Sequence, residues 1–338
     1  MATRTIRSKL GLVQLTWFWN RSSNVGLGFN KFSKRSVETL AFEEVRASNE
    51  KQYNATAFVL HGLLGSGRNW RSFARSLASD LSSNAPSSVE WRIVLVDLRN
   101  HGRSAEIQDL HPPHNMMNAA KDLANLVKSQ DWPSPDVIIG HSMGGKVALQ
   151  FAESCMSGDY GGTFRVPKQL WILDSVAGAV TQENADGEVE KVLQTLQSLP
   201  SSIPSRKWLV DHMMKLGFSR SLSEWIGSNL KNSGGDGEAF AFSLNGAIEM
   251  FNSYREADYW SLLEHPPKGT EILMVQAENS DRWDPEVVRR LERLASRGED
   301  ESEGKVTFHV LPKAGHWVHV DNPKGLLELI ASRIASLA

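Results

Sequence analysis

One stretch of sequence decides the fold of this chain: Gly140-His141-Ser142-Met143-Gly144-Gly145. The apolar, β-branched run at 136–139 before it predicts a buried strand. Residues 146–152 after it predict a helix, because their large apolar side chains lie four positions apart on one face. A serine between two glycines, at the turn from a strand into a helix, forms a nucleophile elbow. We therefore predict that Ser142 is a nucleophile.

The two glycines of this motif have a steric purpose. Gly140 and Gly144 are small, so the strand and the helix can pass close together. The turn between them is sharp enough to strain the backbone of Ser142 and to lift its hydroxyl above the edge of the sheet. We expect that hydroxyl to lie at the helix N-terminus, where backbone N–H groups point outward.

The composition of the chain is typical of a globular protein. Of its 338 residues, 41% are hydrophobic and 22% are charged, which is enough for a full core. The single cysteine, Cys155, excludes a disulfide framework and a cysteine-ligated metal site within the chain. No apolar run approaches the roughly 18 residues that a membrane-spanning helix needs.

The formal net charge of −2 hides an asymmetry between the N-terminus and the rest. Residues 1–37 contain seven Lys or Arg and no Asp or Glu, and they are rich in serine with apolar residues between. Such a segment is typical of an organelle transit peptide, although a disordered basic tail stays open and the sequence does not separate mitochondrion from plastid. Residues 38–338 carry 30 basic and 39 acidic residues, a balance that gives no support to nucleic-acid binding.

Predicted strands alternate with predicted helices along most of the chain. The strands are expected at 40–45, 57–60, 91–97, 136–139, 169–174, 271–276 and 306–311, and the helices at 70–81, 116–127, 285–295 and 325–337. This alternation predicts an α/β fold with a mostly parallel sheet covered by helices on both faces.

The segment from about 185 to 263 breaks this alternation, after the strand that ends at Asp174. Its parts at 188–199, 205–216, 221–230 and 239–253 all have helical patterns. A run of helices between two strands of one sheet predicts a cap over the carboxyl ends of the strands, where open α/β sheets bind ligands. The apolar side chains of this segment would suit an acyl chain, but they equally suit packing within the cap.

A serine hydroxyl needs a base to take its proton. The best candidate is His316, because it follows the last predicted strand and so should reach the same sheet edge as Ser142. His319 is the nearby competitor, and its position favours packing of the last helix instead. The other strand-end histidines, which we expect to line or buttress the site, are His61, His101 and His141.

A carboxylate should orient the imidazole of the base and stabilise its charged form. Two strands end in the right region, one at Asp174 and the other just before Asp281. Their positions in the chain leave both carboxylates open as the third member of the triad.

The chain resembles the α/β-hydrolase superfamily from about residue 57 to its C-terminus. The markers are His61-Gly62 for the oxyanion loop, 140–144 for the elbow, Gly315-His316 for the base, and the sequences at 99–104 and 174–175. The last two resemble a narrower branch that holds the mitochondrial abhydrolase-domain esterases and small bacterial ester and thioester hydrolases. The resemblance implies the α/β-hydrolase fold for residues 38–338.

The resemblance bears on the acid and on the oxyanion hole. Many superfamily members carry the acid in a Gly-x-x-Asp pattern after the later strand, where this chain has Ser280, with Asp281 one residue late. In the resembling branch an acid after the earlier strand can serve instead, which favours Asp174, with Asp281 as the alternative. The oxyanion donors implied by the family are the backbone N–H groups of Met143 and of Leu63, in the loop after the third strand.

These observations predict a serine hydrolase that cleaves an ester or thioester. The sequence shows no phosphate-cradling motif and no metal-ligand set, since prolines in a polar loop explain the pair His111 and His114, and we therefore predict no cofactor and no metal. The expected partner is a small-molecule acyl ester or thioester. The alternative is a hydrolase-like protein that binds a ligand or partner with little turnover. The sequence leaves the oligomeric state undetermined.

Overall fold

The computed structural model describes residues 39–48, 52–86, 88–180, 187–233, 237–298 and 303–337. The predicted transit peptide at 1–37 lies outside these residues. None of the helices described is both long and apolar enough to cross a membrane.

The strands match the predicted positions within a few residues, and two short strands were not predicted. In chain order they are β1 (Phe42–Val45), β2 (Ala55–Leu60), β3 (Trp91–Val96), β4 (Val137–His141), β5 (Gln169–Leu173), β6 (Leu230–Asn232), β7 (Glu238–Phe240), β8 (Glu271–Ala277) and β9 (Lys305–Leu311).

The helices alternate with these strands as expected. They are α1 (Arg71–Asn84), α2 (Met116–Ser129), α3 (Met143–Met156), α4 (Gly187–Ser198), α5 (Arg206–Lys215), α6 (Arg220–Gly227), α7 (Leu244–Glu256), α8 (Trp260–Glu264), α9 (Pro285–Ala295), α10 (Val318–Asp321) and α11 (Pro323–Ala335). Local sequence sets several of their starts. For example, the Asp284 side chain accepts a hydrogen bond from the Glu286 N–H, and Pro285 opens α9.

Seven of the described strands form one sheet in the order β1-β3-β2-β4-β5-β8-β9. Only β1 is antiparallel to its neighbour, and the pairs from β3 to β9 are parallel. This confirms the predicted mostly parallel sheet. Because parallel strands all point one way, their carboxyl ends meet at one edge, with β4 in the middle.

The central strands β2, β3, β4 and β5 are buried on both faces, as their nearly continuous apolar sequences require. Alternate residues of a strand face opposite sides. In β2, Phe58 packs with the core formed by α2, α3 and the cap, whereas Val59 packs with the core under α1 and α11. The two helical layers therefore hold the sheet edge in a fixed position.

The predicted cap lies between β5 and β8 and is mostly helical, with two corrections. The segments at 221–230 and 239–253 were predicted to be helical throughout, but β6 and β7 pair there as an antiparallel hairpin. The helices nearest to it are shorter than predicted on that side: α6 ends at Gly227 and α7 begins at Leu244. Each strand of the hairpin has only 3 residues, which is too short to show the period of a strand, so the sequence pattern did not predict the hairpin.

The turn from β4 into α3 depends on close backbone contact. A Cβ atom on Gly140 would lie 2.3 Å from the carbonyl oxygen of Gly144, and one on Gly144 would lie 2.6 Å from the carbonyl oxygen of Leu60. Backbone atoms cannot yield as a flexible side chain can. The predicted steric role of these two glycines is therefore confirmed.

Replacing Gly140 with alanine should strongly destabilise the protein. We expect Gly140→Ala to lower the free energy of unfolding by about 3 kcal/mol, because the new methyl group overlaps backbone atoms in a packed core. Urea denaturation measures this value. Gly162→Ala is the matched control, because its Cβ meets nothing within 4 Å, and we expect a change of less than about 0.5 kcal/mol. Equal stabilities of the two variants would contradict the steric argument.

Candidate active site

Ser142 lies at the elbow between β4 and α3 with a strained backbone. Its φ of 52° and ψ of −120° are rare for a residue that has a side chain. Hydrogen bonds hold this conformation on both sides: the Ser142 N–H donates to the Leu173 carbonyl at 2.9 Å, and the Ser142 carbonyl accepts from the Gly145 N–H at 2.8 Å. The next residue, Met143, opens α3, so its N–H is one of the first helical donors, which have no acceptor within the helix.

His316 lies in the turn after β9 and contacts a carboxylate. Its Nδ1 donates to Oδ2 of Asp174 at 2.7 Å, across 142 positions of sequence. Because an ionised carboxylate only accepts hydrogen bonds, Nδ1 carries the proton and Nε2 of the neutral ring keeps a lone pair. Asp281, the alternative acid, is exposed at the wall of the same cavity. The structure thus brings Asp174 to His316 and leaves Asp281 in the wall.

The Asp174 carboxylate is fully buried and accepts three hydrogen bonds besides that of His316. Oδ1 accepts from the Ala277 N–H at 3.1 Å and from Trp283 Nε1 at 2.6 Å, and Oδ2 accepts from the Ser280 hydroxyl at 2.8 Å. Burial alone raises the pKa of Asp174, but the hydrogen bond and charge of His316, followed by the bonds from Trp283 and Ala277, lower that pKa to about 2. The carboxylate is therefore ionised at neutral pH.

Sequence reasoning missed these supporting donors. Ser280 occupies the position at which the resemblance would place an acid, and its hydroxyl donates to the carboxylate of Asp174, which follows the other strand. That substitution was visible in the sequence, but its consequence was not. Nothing local to Trp283 marks it, because only the path of the loop after β8 directs its indole N–H at Asp174.

His141 supports the backbone of His316. Its ring is buried, and its Nε2 lies 2.7 Å from the carbonyl oxygen of His316, to which it donates. Burial, followed by the charges of His316 and His319, lowers the pKa of His141 well below its ordinary value. The ring therefore stays neutral, with a single N–H that this carbonyl uses.

His61 orients the peptide that precedes Leu63. Its Nε2 accepts a hydrogen bond from the Leu98 N–H at 3.0 Å, so its Nδ1 carries the proton and donates to the Gly62 carbonyl at 2.8 Å. The Gly65 N–H donates to the same carbonyl at 3.1 Å. Since a trans peptide directs its C=O and N–H oppositely, the Leu63 N–H faces away from this turn. The resemblance predicted that Leu63 lies in the loop after the third strand. In the structure the turn that holds Leu63 follows the second strand, β2.

The remaining two histidines near the site are also held neutral. The ring of His319 stacks on Trp70 with centroids 4.1 Å apart, and burial followed by the charge of His316 lowers its pKa to about 4. Burial and the charge of His61 lower the pKa of His101 to about 3, and the His101 Nδ1 donates to the Arg99 carbonyl at 2.8 Å. His319 therefore packs against Trp70 in the wall of the site, whereas His316 binds the Asp174 carboxylate.

A cavity of about 390 Å³ opens above the elbow. Both Ser142 and His316 line it, together with Leu63 and Met143. The cap contributes its other walls through side chains that are mostly apolar, namely Val189, Val192, Leu222, Trp225, Phe251 and Tyr254. The size and the mixture of apolar walls with a few polar groups are typical of a small-molecule site.

The loop that carries His111 and His114 is bound by an arginine. Arg99 pairs with Asp122 at 2.7 Å and donates to the carbonyl oxygens of His111 and Pro113 at 3.3 and 3.0 Å. Among the residues described by the structure, no group of three or more His, Cys, Asp or Glu side chains is arranged to hold a metal ion.

Comparison with known proteins finds one matching family model and several similar enzymes. The model of the alpha/beta hydrolase family matches residues 57–329. The sn-1-specific diacylglycerol lipase ABHD11 of Mus musculus is 25% identical over 280 residues, which cover 82% of this chain and 80% of that protein. Protein phosphatase methylesterase 1 of Homo sapiens is 26% identical over 313 residues, which cover 81% of this chain and 74% of that protein. A solved marine microorganism esterase shares the fold, with a TM-score of 0.66 and 23% identity, over 87% of this chain and 98% of that one.

The ionisation of Asp174 should appear in the pH dependence of stability. Its pKa is lower in the folded chain (about 2) than the ordinary value of 3.8, so the charged carboxylate stabilises the fold above pH 3.8 and that contribution is lost as the pH falls through 2. The two pKa values imply a contribution of about 2 kcal/mol. Urea denaturation gives the free energy of unfolding of wild type and of Asp174→Asn. The difference between these two free energies should be smaller at pH 3 than at pH 6, by roughly half of the contribution of the charged carboxylate.

The exposed Asp281 offers a matched control for that experiment. We expect Asp281→Asn to unfold at the wild-type urea concentration at pH 7, because its side chain lies in the cavity wall without burial. A difference between wild type and Asp174→Asn that stays constant down to pH 3 would contradict the assigned ionisation.

Proposed function

The chain belongs to the alpha/beta hydrolase family, and from this premise we propose that it is a serine hydrolase that cleaves a carboxylic ester or thioester through an acyl-enzyme on Ser142. The main support is the 2.7 Å contact between His316 and the buried Asp174, at the cavity that Ser142 also lines. The esterase and lipase names of the relatives support hydrolase chemistry of this kind.

The proposed reaction has two steps. In the first, Nε2 of His316 takes the Ser142 proton as the oxygen attacks the acyl carbon, and it then gives that proton to the leaving alcohol or thiol. In the second, a water molecule attacks the acyl carbon of the acyl-enzyme and loses a proton to His316. His316 then returns that proton to the Ser142 oxygen as the bond between this oxygen and the acyl carbon breaks, and the carboxylic acid is released. Asp174 holds the ring in the correct tautomer and stabilises its charged form.

The tetrahedral intermediates carry a negative charge on the former carbonyl oxygen. We assign its stabilisation to the backbone N–H groups of Met143 and Leu63. The Met143 N–H is an unused donor at the start of α3, and the bonds of His61 and Gly65 to the preceding carbonyl direct the Leu63 N–H away from their turn.

The substrate we propose is an ester or thioester of a small or medium acyl group. The cavity of about 390 Å³ and its apolar cap walls suit a hydrocarbon chain. One relative is a diacylglycerol lipase, which supports an acyl ester as the substrate class.

Hydrolysis of nitrophenyl esters of graded chain length tests this function. We expect the full chain to turn over, and Ser142→Ala to lose on the order of 10⁴- to 10⁶-fold in kcat. Asp174→Asn should lose about 10⁴-fold, because the histidine is then held in the wrong tautomer. Asp281→Asn, the matched carboxylate in the same cavity, should stay within about twofold of wild type.

Two results would contradict the proposal. Equal losses of kcat in Asp174→Asn and Asp281→Asn would contradict the role proposed for Asp174. A folded wild type that is no more active than Ser142→Ala on every ester would favour a protein that binds a ligand without turnover.

We also propose that residues 1–37 direct the protein to a mitochondrion or a plastid, since their seven basic and no acidic residues favour import. A fluorescent protein fused to residues 1–37 should enter an organelle of a plant cell. The same fusion with all seven Lys and Arg changed to Gln should stay in the cytosol. Import of both fusions, or of neither, would overturn this proposal.

A further inference from the structure

Lys146 is a buried lysine one helical turn after Ser142. Its side chain is 0% exposed, and its Nζ donates to the carbonyl oxygens of Gly178, Tyr254 and Ala257 at 2.8, 2.7 and 2.8 Å. An ammonium group has three N–H donors, so it can donate to all three of these carbonyls.

Two of these carbonyls belong to the end of α7, which is part of the cap. Tyr254 lies in the last turn of α7, and Ala257 is the residue after its end. Carbonyls at a helix C-terminus have no partner within the helix and carry the negative end of its dipole, so a cation is well suited to bind them. The Lys146 ammonium also lies 4.5 Å from the centre of the Tyr254 ring.

The third carbonyl belongs to the loop after β5. Gly178 is four residues after Asp174, in the segment that leaves the sheet edge toward the cap. Lys146 therefore joins the helix of the nucleophile, the loop of the acid and the end of α7. Each of the three hydrogen bonds of Lys146 is made to a backbone carbonyl, so the ammonium constrains the positions of the loop after β5 and of the end of α7.

The end of α7 carries part of the cavity wall. Phe251 and Tyr254 both line the cavity above Ser142, and they lie within the last two turns of the helix that Lys146 holds. If the ammonium is removed, the three carbonyls, of which those of Gly178 and Tyr254 are bound in buried contacts, lose this donor, and the end of α7 can move to find others. Such a movement would change the space available to an acyl chain without touching the reacting atoms.

We propose that Lys146 is a positioning residue for specificity: it fixes the end of α7 and so determines which acyl-chain lengths fit between the cap and Ser142. This inference rests on the proposed ester hydrolysis. It concerns the selection of substrate and leaves the chemical step to the residues assigned above.

Steady-state kinetics on nitrophenyl esters from acetate to dodecanoate test the proposal. Lys146→Met removes the donors and keeps the length of the side chain. We expect its kcat on acetate to stay within about threefold of wild type, because the shortest chain does not reach the wall. On the chain length that wild type prefers, we expect KM to rise roughly tenfold, and the preferred length should change.

Gln150→Leu is the matched control. Gln150 lies one turn further along α3, and its Oε1 accepts a hydrogen bond from the Tyr259 hydroxyl at 3.1 Å, in the segment that follows α7. Gln150→Leu therefore removes a hydrogen bond between α3 and the end of the cap, and it leaves the contacts of α7 with Lys146 in place. We expect this variant to keep the wild-type order of chain lengths.

Three outcomes would overturn the proposal. The first is an equal loss at every chain length in Lys146→Met, which would indicate a general effect on the fold or the chemistry. The second is a dependence of KM and kcat on chain length that is the same in Lys146→Met as in wild type. The third concerns Lys146→Gln, whose amide keeps two donors: if neither variant folds, the lysine serves the fold as a whole and the assigned role is wrong.

Failure of the proposed function would be visible separately. In that case wild type would show no turnover that depends on Ser142. The chain-length preference of wild type, Lys146→Met and Gln150→Leu would then be measured by calorimetric binding of free carboxylic acids of the same lengths. A preference that changes only in Lys146→Met would still support the role of this lysine in shaping the cavity, and an unchanged preference would overturn it.

Discussion

The close passage of α3 over the two central strands constrains everything else at the sheet edge. Gly144 leaves no space for a Cβ atom against the carbonyl of Leu60 in β2, and Gly140 leaves none against Gly144. This packing forces the chain to reverse within one residue, so Ser142 takes a positive φ. Because β4 lies in the middle of the sheet, the same packing brings the ends of β2 and β5 to either side of the serine. The loop of Leu63 and the carboxylate of Asp174 are thus positioned by the sheet order.

Electrostatics then distinguish one histidine from the others. The negative charge of Asp174 is buried, and four donors satisfy its two oxygens, which makes an ionised carboxylate stable there. Burial lowers the pKa of the neighbouring rings, which are His61, His101, His141 and His319. These neutral rings act through hydrogen bonds and packing, for example at the carbonyls of Gly62 and His316. His316 alone contacts the carboxylate among the histidines described in this cluster.

The cap is attached to the sheet through backbone groups as well as apolar packing. The Ser243 N–H, at the start of α7, donates to the Asn100 carbonyl at 2.7 Å, and Lys146 holds the other end of that helix. Both anchors come from elements that lead away from the sheet edge. The helix that supplies Phe251 to the cavity is therefore fixed at both ends relative to the elbow. Variation of side chains between the anchors could change the cavity without moving the site.

The sequence by itself determined the local features of this protein: the elbow around Ser142, the alternation of strands and helices, and the place of His316 in the loop after the last strand of the sheet. Each of these depends on neighbours within a few positions, which a single stretch of sequence contains. The choice between the two candidate carboxylates was different, because both Asp174 and Asp281 follow strands that end at the same edge of the sheet. Only the folded chain brings Asp174 to His316, across 142 positions.

The tertiary structure likewise decided which groups donate to Asp174, the hairpin of β6 and β7, and the carbonyls that Lys146 binds. A segment as short as β6 or β7 fits two kinds of secondary structure until its neighbours are present. A lysine within an apolar helix gives no sign of which carbonyls it will meet. These features arise from contacts between residues far apart in the chain, and the packing of the whole fold, rather than the local pattern, selects them.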